Sequence, residues 1–306
     1  MIPKYKLYTN SKMLSHLNTP TFLKKLNKYN FVPHLISSFQ DYDYLYLVTT
    51  FYEGRNMEAF INENLTEEKI KFVSACIIQA LEYLRQENII HRDIYHTNII
   101  MDEDRYFNLI DFSYSIDYHK KDDKEFYMQI FDMITPPEIL ENKVYDFNSD
   151  YYSLGSTIYY LMFKEFPLSK KIRENIPDIA IDYESMNNYS IDCIDFINKL
   201  LISNYTERIG FNNINELKNH SWFKGFDWIN LNKKKIKSPF TLIKSEIKQV
   251  KCSRLALLPE ELSGFLITSK IKTYNELIGN FNFSNNYLIE KSMIFKSKFN
   301  NIKKIM

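Results

Sequence analysis

Between Asn88 and Ser113 the chain reads N-I-I-H-R-D-I-Y-H-T-N-I-I-M-D-E-D-R-Y-F-N-L-I-D-F-S, and no other stretch restricts the fold as tightly. His91-Arg92-Asp93 is followed, across a four-residue gap, by Asn98. A strand-like run, Phe107 to Ile110, then closes on Asp111-Phe112. An isolated His-Arg-Asp carries little information. An Asn at this offset, with Asp-Phe ending a strand, carries much more.

These residues resemble the catalytic loop and metal-binding strand of the eukaryotic protein kinases, H-R-D-x-x-x-x-N followed by D-F-G. Phosphoryl transfer uses one carboxylate at the incoming hydroxyl, and a second carboxylate with an amide oxygen to hold Mg²⁺ on the phosphates. The resemblance therefore implies Asp93 as the catalytic base and Asn98 and Asp111 as metal ligands, with ATP and Mg²⁺ as the cofactors if nucleotide binding is retained. It also implies an α+β, two-lobed protein kinase-like fold, here with a reduced N-terminal β-lobe and a largely helical C-lobe.

Composition is compatible with that expectation. With 45% hydrophobic and 25% charged residues, the 306-residue chain can bury a core. A net charge of +1 gives no argument for a nucleic-acid partner. Cys76, Cys193 and Cys252 stand far apart, without metal or redox spacing, which is read as a reducing, intracellular and cytoplasmic setting. The polar, basic start is not a signal peptide. The longest apolar stretches, around Phe72–Leu84 and Tyr151–Phe163, are too short to span a bilayer.

The match fails in residues 1–52, read as a small lobe without its Gly-rich loop. The first glycine is Gly54 and the first acidic residue is Asp41, so neither that loop nor the helix glutamate can exist here. Tyr5-Lys6-Leu7-Tyr8 resembles the strand that normally carries a lysine, with Tyr8 in its place and Lys6 on the same face. Thr21–Lys28 is read as a reduced helix whose basic residues form a solvated face or, as the alternative, a basic docking face. From Phe31 the resemblance returns: Phe31–Phe39 and Tyr44–Thr49 read as strands. The run Thr50-Phe51-Tyr52-Glu53-Gly54 is similar to the hinge between lobes. Thr49 would then back the nucleotide pocket, and the backbone of Thr50 to Tyr52 would face an adenine edge. Ile99 and Ile100 are read as the floor under the base or as plain core strand, with Ile100 assigned to cofactor binding.

Residues 53–228 read as the large lobe. Thr66 is an N-cap for a helix whose apolar face recurs from Ile70 to Leu84, and Glu67 and Glu68 sit at its positive end. Pro136-Pro137-Glu138 resembles the A-P-E that closes the activation segment. Asp150-Tyr-Tyr-Ser-Leu-Gly155 is similar to the start of the central helix, with Asp150 expected to brace the His91-Arg92 turn. Arg208 is expected to pair with Glu138 in a buried bridge whose loss costs roughly 3–5 kcal/mol. His220-Ser-Trp222-Phe223-Lys-Gly225-Phe226-Asp-Trp228 resembles the end of the catalytic domain in the AGC group, especially the cyclic-nucleotide-dependent kinases. Residues 229–306 read as an AGC-like tail, partly disordered near its end. Within the tail, Lys233–Lys235 is a solvated turn, and Phe281-Asn-Phe283-Ser284 resembles the aromatic motif that docks on the small lobe.

Several departures bear on activity. Tyr95 stands where Ser/Thr kinases carry a lysine, Ser113 replaces the glycine of D-F-G, and Phe131 replaces the activation-segment threonine. No Ser or Thr lies between Ser115 and Thr135, which leaves Tyr127 as the nearest hydroxyl to the usual phosphorylation site. Thr97 replaces the acidic residue that AGC kinases place before the Asn, so a preference for basic substrates does not carry over. Three readings follow. One is a pseudokinase or very weak kinase acting as scaffold or allosteric partner. The alternative is an active Ser/Thr kinase, supported by the three intact residues. The third is a gene product misjoined at its start, which explains the missing hairpin but not the absent glutamate. All imply a protein partner, either a substrate or an active kinase.

Overall fold

The computed structural model describes residues 2–4, 17–63, 65–120, 134–141, 145–167, 188–241 and 283–284. In the small lobe, β2 (Leu35–Gln40) and β3 (Tyr44–Thr49) form an antiparallel hairpin with Phe39 opposite Tyr46. A register shift between Leu35 and Ser37 explains why the alternation in this segment is imperfect. Leu35 and Leu45 are fully buried, while Phe39 and Val48 point outward. β1 (Ile2–Pro3) pairs along β3, with Ile2 opposite Leu45. The strand expected at Tyr5–Tyr8 lies outside the described residues. α1 spans Thr19–Leu26, two residues earlier than the sequence suggested, because Pro20 fits the first turn. Its Phe22, Leu23 and Leu26 are buried.

The large lobe is built on two buried helices. α2 (Glu67–Gln86) is capped by Thr66, whose side chain accepts from the Lys69 amide, as its sequence implies. Most of its side chains are buried, including Phe72, Cys76 and Leu84. Short pairs follow: β4 (Ile89–Ile90) with β7 (Ile116–Asp117), and β5 (Ile99–Met101) with β6 (Phe107–Leu109). After α3 (Pro137–Leu140) comes α4 (Phe147–Phe163), which begins at a capping box formed by Asp146 and Ser149. α5 (Ile191–Leu200), α6 (Asn215–Lys218) and α7 (Trp228–Asn232) complete the lobe.

Glu138 and Arg208 form the expected bridge. Both guanidinium nitrogens donate to the carboxylate, at 2.8 and 2.9 Å, and both residues are buried. Beyond α7 the chain returns to the hinge side, where Phe240 is buried against Phe60 and Phe107. Here the expectation of a solvated Lys233–Lys235 holds for Lys233 and Lys235, which are exposed, and fails for Lys234. Lys234 turns back with φ 52° and its Nζ reaches the buried Asp102 carboxylate at 2.5 Å. A carboxylate taken out of water requires such a donor. Further along, β8 (Phe283–Ser284) pairs antiparallel with β2, Ser37 opposite Ser284, so the small-lobe sheet runs β1-β3-β2-β8. Phe281, Cys252 and the tail expected to be partly disordered lie outside the described residues.

Candidate active site

The loop that carries Asp93 is shaped from below. Arg92 adopts a left-handed backbone, φ 69°, a strained conformation for a non-glycine residue. Asp150 stabilises it, as its motif implies: its two carboxylate oxygens accept the backbone N–H groups of His91 at 2.7 Å and Arg92 at 2.8 Å. Burial pushes the Asp150 carboxyl up to about 7, and the two backbone donors oppose that rise. From α4, Thr157 donates to the Ile94 carbonyl at 2.8 Å. His91 accepts the Asp93 amide at Nδ1 and donates from Nε2 to the Ile110 carbonyl at 3.2 Å, a tautomer assigned from these partners. Burial holds this ring neutral, with its pKa down at about 4.

Above this loop Asn98 is bonded to Asp93, and Asp111 lies near enough for its charge to act on Asp93. The Asn98 amide donates to the Asp93 carboxylate at 2.7 Å and to its carbonyl at 3.1 Å. Ile110 donates its N–H to the Asn98 carbonyl at 2.8 Å, tying the loop to the residue before Asp111. Burial lifts the Asp93 carboxyl to about 6; the Asn98 bond lowers it, and the nearby Asp111 charge raises it further. Asp111 is exposed and left-handed, φ 65°. One of its oxygens accepts both the amide and the hydroxyl of Ser113, at 3.1 and 2.5 Å. Ser113 thus does more than replace a glycine: its hydroxyl fixes the carboxylate.

The residues assigned to the nucleotide fall along the hinge, apart from this triad. Thr50 commits its N–H to the His34 carbonyl at 2.9 Å. Tyr52 is half-buried, with its phenol raised by desolvation and by the charges of Asp102 and Glu103. Ile99 is buried in the core and Ile100 is half-buried. Gly54 fits because a Cβ there would stand 2.1 Å from the Met101 carbonyl oxygen. The hinge therefore lies directly on β5, where Met101 donates to the Arg55 carbonyl at 3.0 Å.

Oxygen donors suit a hard divalent cation. Asp111 and Asn98 supply one carboxylate and one amide oxygen. No larger group of acidic, histidine or cysteine side chains gathers among the described residues, so phosphates and water would complete the shell. Tyr95 contributes no cation. Its ring lies 3.9 Å from His96 and 5.7 Å from Phe166, in an aromatic cluster that sequence reasoning missed because its members are far apart in the chain. Lys6, Tyr8, Tyr127 and Phe131 lie outside the described residues.

The family model for the protein kinase domain matches residues 6–223. The chain is 28% identical over 243 residues to cGMP-dependent protein kinase 2 of Rattus norvegicus, covering 76% of this chain and 30% of that protein. It is 28% identical over 255 residues to serine/threonine-protein kinase sgk-1 of Caenorhabditis elegans, covering 77% of this chain and 54% of that protein. Over 241 residues it is 24% identical to the cAMP-dependent protein kinase catalytic subunit of Dictyostelium discoideum, covering 75% of this chain and 36% of that protein. The chain thus spans about a third of the length of the cGMP-dependent relatives it matches.

Proposed function

The chain belongs to the protein kinase family, and from that premise we propose that it is a pseudokinase, or a very weak Ser/Thr kinase of the AGC type, that acts as a scaffold or allosteric partner of another protein. One observation carries this reading. Asp111 stands exposed, and its hydrogen bonds among the described residues come from Ser113 alone. That leaves the Asp111 carboxylate open to a cation, while within these 306 residues no glycine precedes Gly54 and no acidic residue precedes Asp41, so the loop and the helix glutamate that clamp phosphates from above have no counterpart among them. Each missing donor is typically worth ~10²–10³ in rate, and such losses do not add simply.

Residual chemistry would belong to Asp93. Its carboxylate would accept the proton of an incoming hydroxyl, and the Asn98 amide would hold it in place. Asn98 and Asp111 would hold Mg²⁺ on bound ATP. When bound, the ion would neutralise charge on the phosphates. The names of the relatives support serine or threonine as the acceptor.

The test is incorporation of labelled γ-phosphate into a generic protein substrate, run beside nucleotide-dependent thermal melting. A melting shift without incorporation supports the proposal. Incorporation at ordinary kinase rates that vanishes in Asp93→Ala overturns it in favour of the second reading, an active ATP-dependent kinase. The hydrogen bond from Asn98 to Asp93, with Asp111 close enough for its charge to act on Asp93, is what favours that alternative.

A further inference from the structure

The outer face of the small-lobe sheet carries rings and no charge. Strand alternation sends Tyr44, Tyr46 and Val48 of β3 to one side. Leu45 and Leu47 go to the other, where Leu45 is fully buried and Leu47 packs against the core. The register then places Phe39 of β2 opposite Tyr46, Ser37 opposite Val48, and Pro3 of β1 opposite Tyr44. No carboxylate, ammonium or guanidinium stands among these six outward residues. Phe39 is 46% and Val48 39% exposed. Phe39 and Tyr46 stack with centroids 4.8 Å apart at 11°, and Tyr44 leans on Tyr46 at 6.2 Å and 55°.

Apolar side chains scattered singly over a surface are ordinary, but a contiguous patch marks a place where something docks. This one is already ordered. Phe39 holds the Tyr46 ring from one side, and the Tyr46 hydroxyl donates to Asp41 at 2.6 Å. Asp41 is fixed in turn by the amides of Asp43 and Tyr44, at 2.9 and 2.7 Å. Rings held this way lose little freedom when a partner arrives. The Tyr44 hydroxyl has no hydrogen-bond partner among the described residues, which leaves it as a donor for an incoming carbonyl. The patch ends at the exposed turn Asp41-Tyr42-Asp43. Lys4 donates to the Asp41 carbonyl at 2.5 Å, whereas Asp43 is in no ion pair among the described residues. A partner cannot simply extend the sheet. β8 already covers the edge of β2, and β1 offers two residues, one of them Pro3, which has no N–H.

We infer that this face docks a proline-rich segment of another protein, held in the polyproline II conformation across the rings, with a basic residue at the end that meets Asp43. A polyproline II segment is ordered before it binds and keeps its carbonyls free of internal hydrogen bonds. It therefore suits a neutral, aromatic-lined surface that offers ring faces and a hydroxyl donor. The tilt of Tyr44 against Tyr46 gives a notch for a pyrrolidine ring, and the Tyr44 hydroxyl lies beside it for a carbonyl. The acidic turn at one end sets the direction of the segment by charge. The inference goes beyond the proposed function and does not depend on it, because the face points away from the core side of the sheet and involves neither Asp93 nor Asp111.

The probe is a fluorescein-labelled peptide of repeated Pro-Pro-Leu-Pro ending in Arg, titrated with the full chain and followed by fluorescence anisotropy. Saturable binding is expected, weakened about tenfold when alanine replaces the prolines at equal length and charge. Phe39→Lys, at an exposed position, is expected to weaken it by about tenfold as well. Tyr44→Phe keeps the ring and removes only the donor, with an expected loss of about threefold. Because that variant leaves the sheet untouched, it keeps the test decisive if circular dichroism shows Phe39→Lys to be misfolded. Replacing the terminal Arg by Glu is expected to weaken binding about twofold at low salt, and Asp43→Lys to reverse that order. Absence of saturable binding, equal binding of the alanine peptide, or affinity unchanged in both Phe39→Lys and Tyr44→Phe would overturn the inference. So would a dimer in sedimentation equilibrium that Phe39→Lys dissociates, which would assign the face to a second copy of the chain. Label transfer measured in parallel separates the two readings. Transfer at ordinary kinase rates with proline-peptide binding intact removes the pseudokinase reading and keeps this inference. A nucleotide-dependent melting shift without transfer, and without peptide binding, does the opposite.

Discussion

Asp93 is the residue on which activity and stability can be read together. Its carboxyl is raised to about 6, chiefly by burial. A base must be deprotonated to work, so any phosphotransfer is expected to rise with pH through about 6 and level off above it. Asp93→Asn is expected to lower the rate by ~10²–10⁴, the usual share of a general base, with nucleotide affinity kept. A flat pH–rate profile between pH 5 and 8 would remove Asp93 from that role. The same shift sets a stability trend of known sign. Asp93 and Asp150 hold their protons more tightly folded than unfolded, with folded values of about 6 and about 7. Their stabilising effect is complete below the unfolded carboxylate range and is lost as pH rises through those folded values. The slope reaches ~1.4 kcal/mol per pH unit for each group. Asp93→Asn is therefore expected to melt higher than wild type at pH 8 and to flatten the dependence of Tm on pH. An unchanged profile would mean that the folded carboxyl titrates normally.

At the scale of elements, the buried contacts divide into those the sequence announces and those it hides. Asp150 and the Glu138–Arg208 bridge were legible because each belongs to a short motif with a single structural use. Lys234–Asp102 was not, because a run of three lysines reads as solvent-exposed, and its partner lies 132 residues away. The aromatic cluster beside Tyr95 was hidden for the same reason: Tyr95 and His96 are neighbours, but Tyr160 and Phe166 reach them from more than sixty residues away. β1 was not anticipated because two residues carry no periodicity. Arg208→Ala is expected to cost roughly 3–5 kcal/mol, because it strands a carboxylate that is otherwise paired twice. Removing both charges together, Glu138→Gln with Arg208→Met, is expected to cost less than Arg208→Ala alone. Chemical denaturation of the set measures the coupling, and strictly additive losses would argue against a bridge. Gly54→Ala is expected to force the hinge away from β5, since the added carbon would fall 2.1 Å from the Met101 oxygen. The readout is weaker Mg-ATP binding at nearly unchanged helix content.

Across the whole molecule, the reduced small lobe is not an appendage. Phe22, Leu23 and Leu26 of α1 belong to the same apolar cluster as Ile77 of α2, Phe107 of β6 and Leu231 of α7. Polar ties reinforce the cluster. Thr19 donates to the Phe112 carbonyl at 3.3 Å, one residue past Asp111, and Leu109 donates its N–H to Phe31 at 2.9 Å. A small lobe held through a shared core cannot melt by itself, so calorimetry is expected to show one cooperative transition. Ligand binding must then act on that transition. At tenfold its dissociation constant, Mg-ATP stabilises a protein by about 1.4 kcal/mol, which for a 306-residue chain corresponds to a rise of roughly 2 °C in Tm. Asp111→Asn is expected to abolish the Mg²⁺-dependent part of that rise. The core is expected to remain intact, because Asp111 is exposed and bonds locally to Ser113. Two resolved transitions, with only the smaller responding to nucleotide, would mean that the site is organised by the small lobe alone. A single transition that moves with Mg-ATP in the wild type and not in Asp111→Asn would locate the metal at the exposed carboxylate, whatever the rate of transfer.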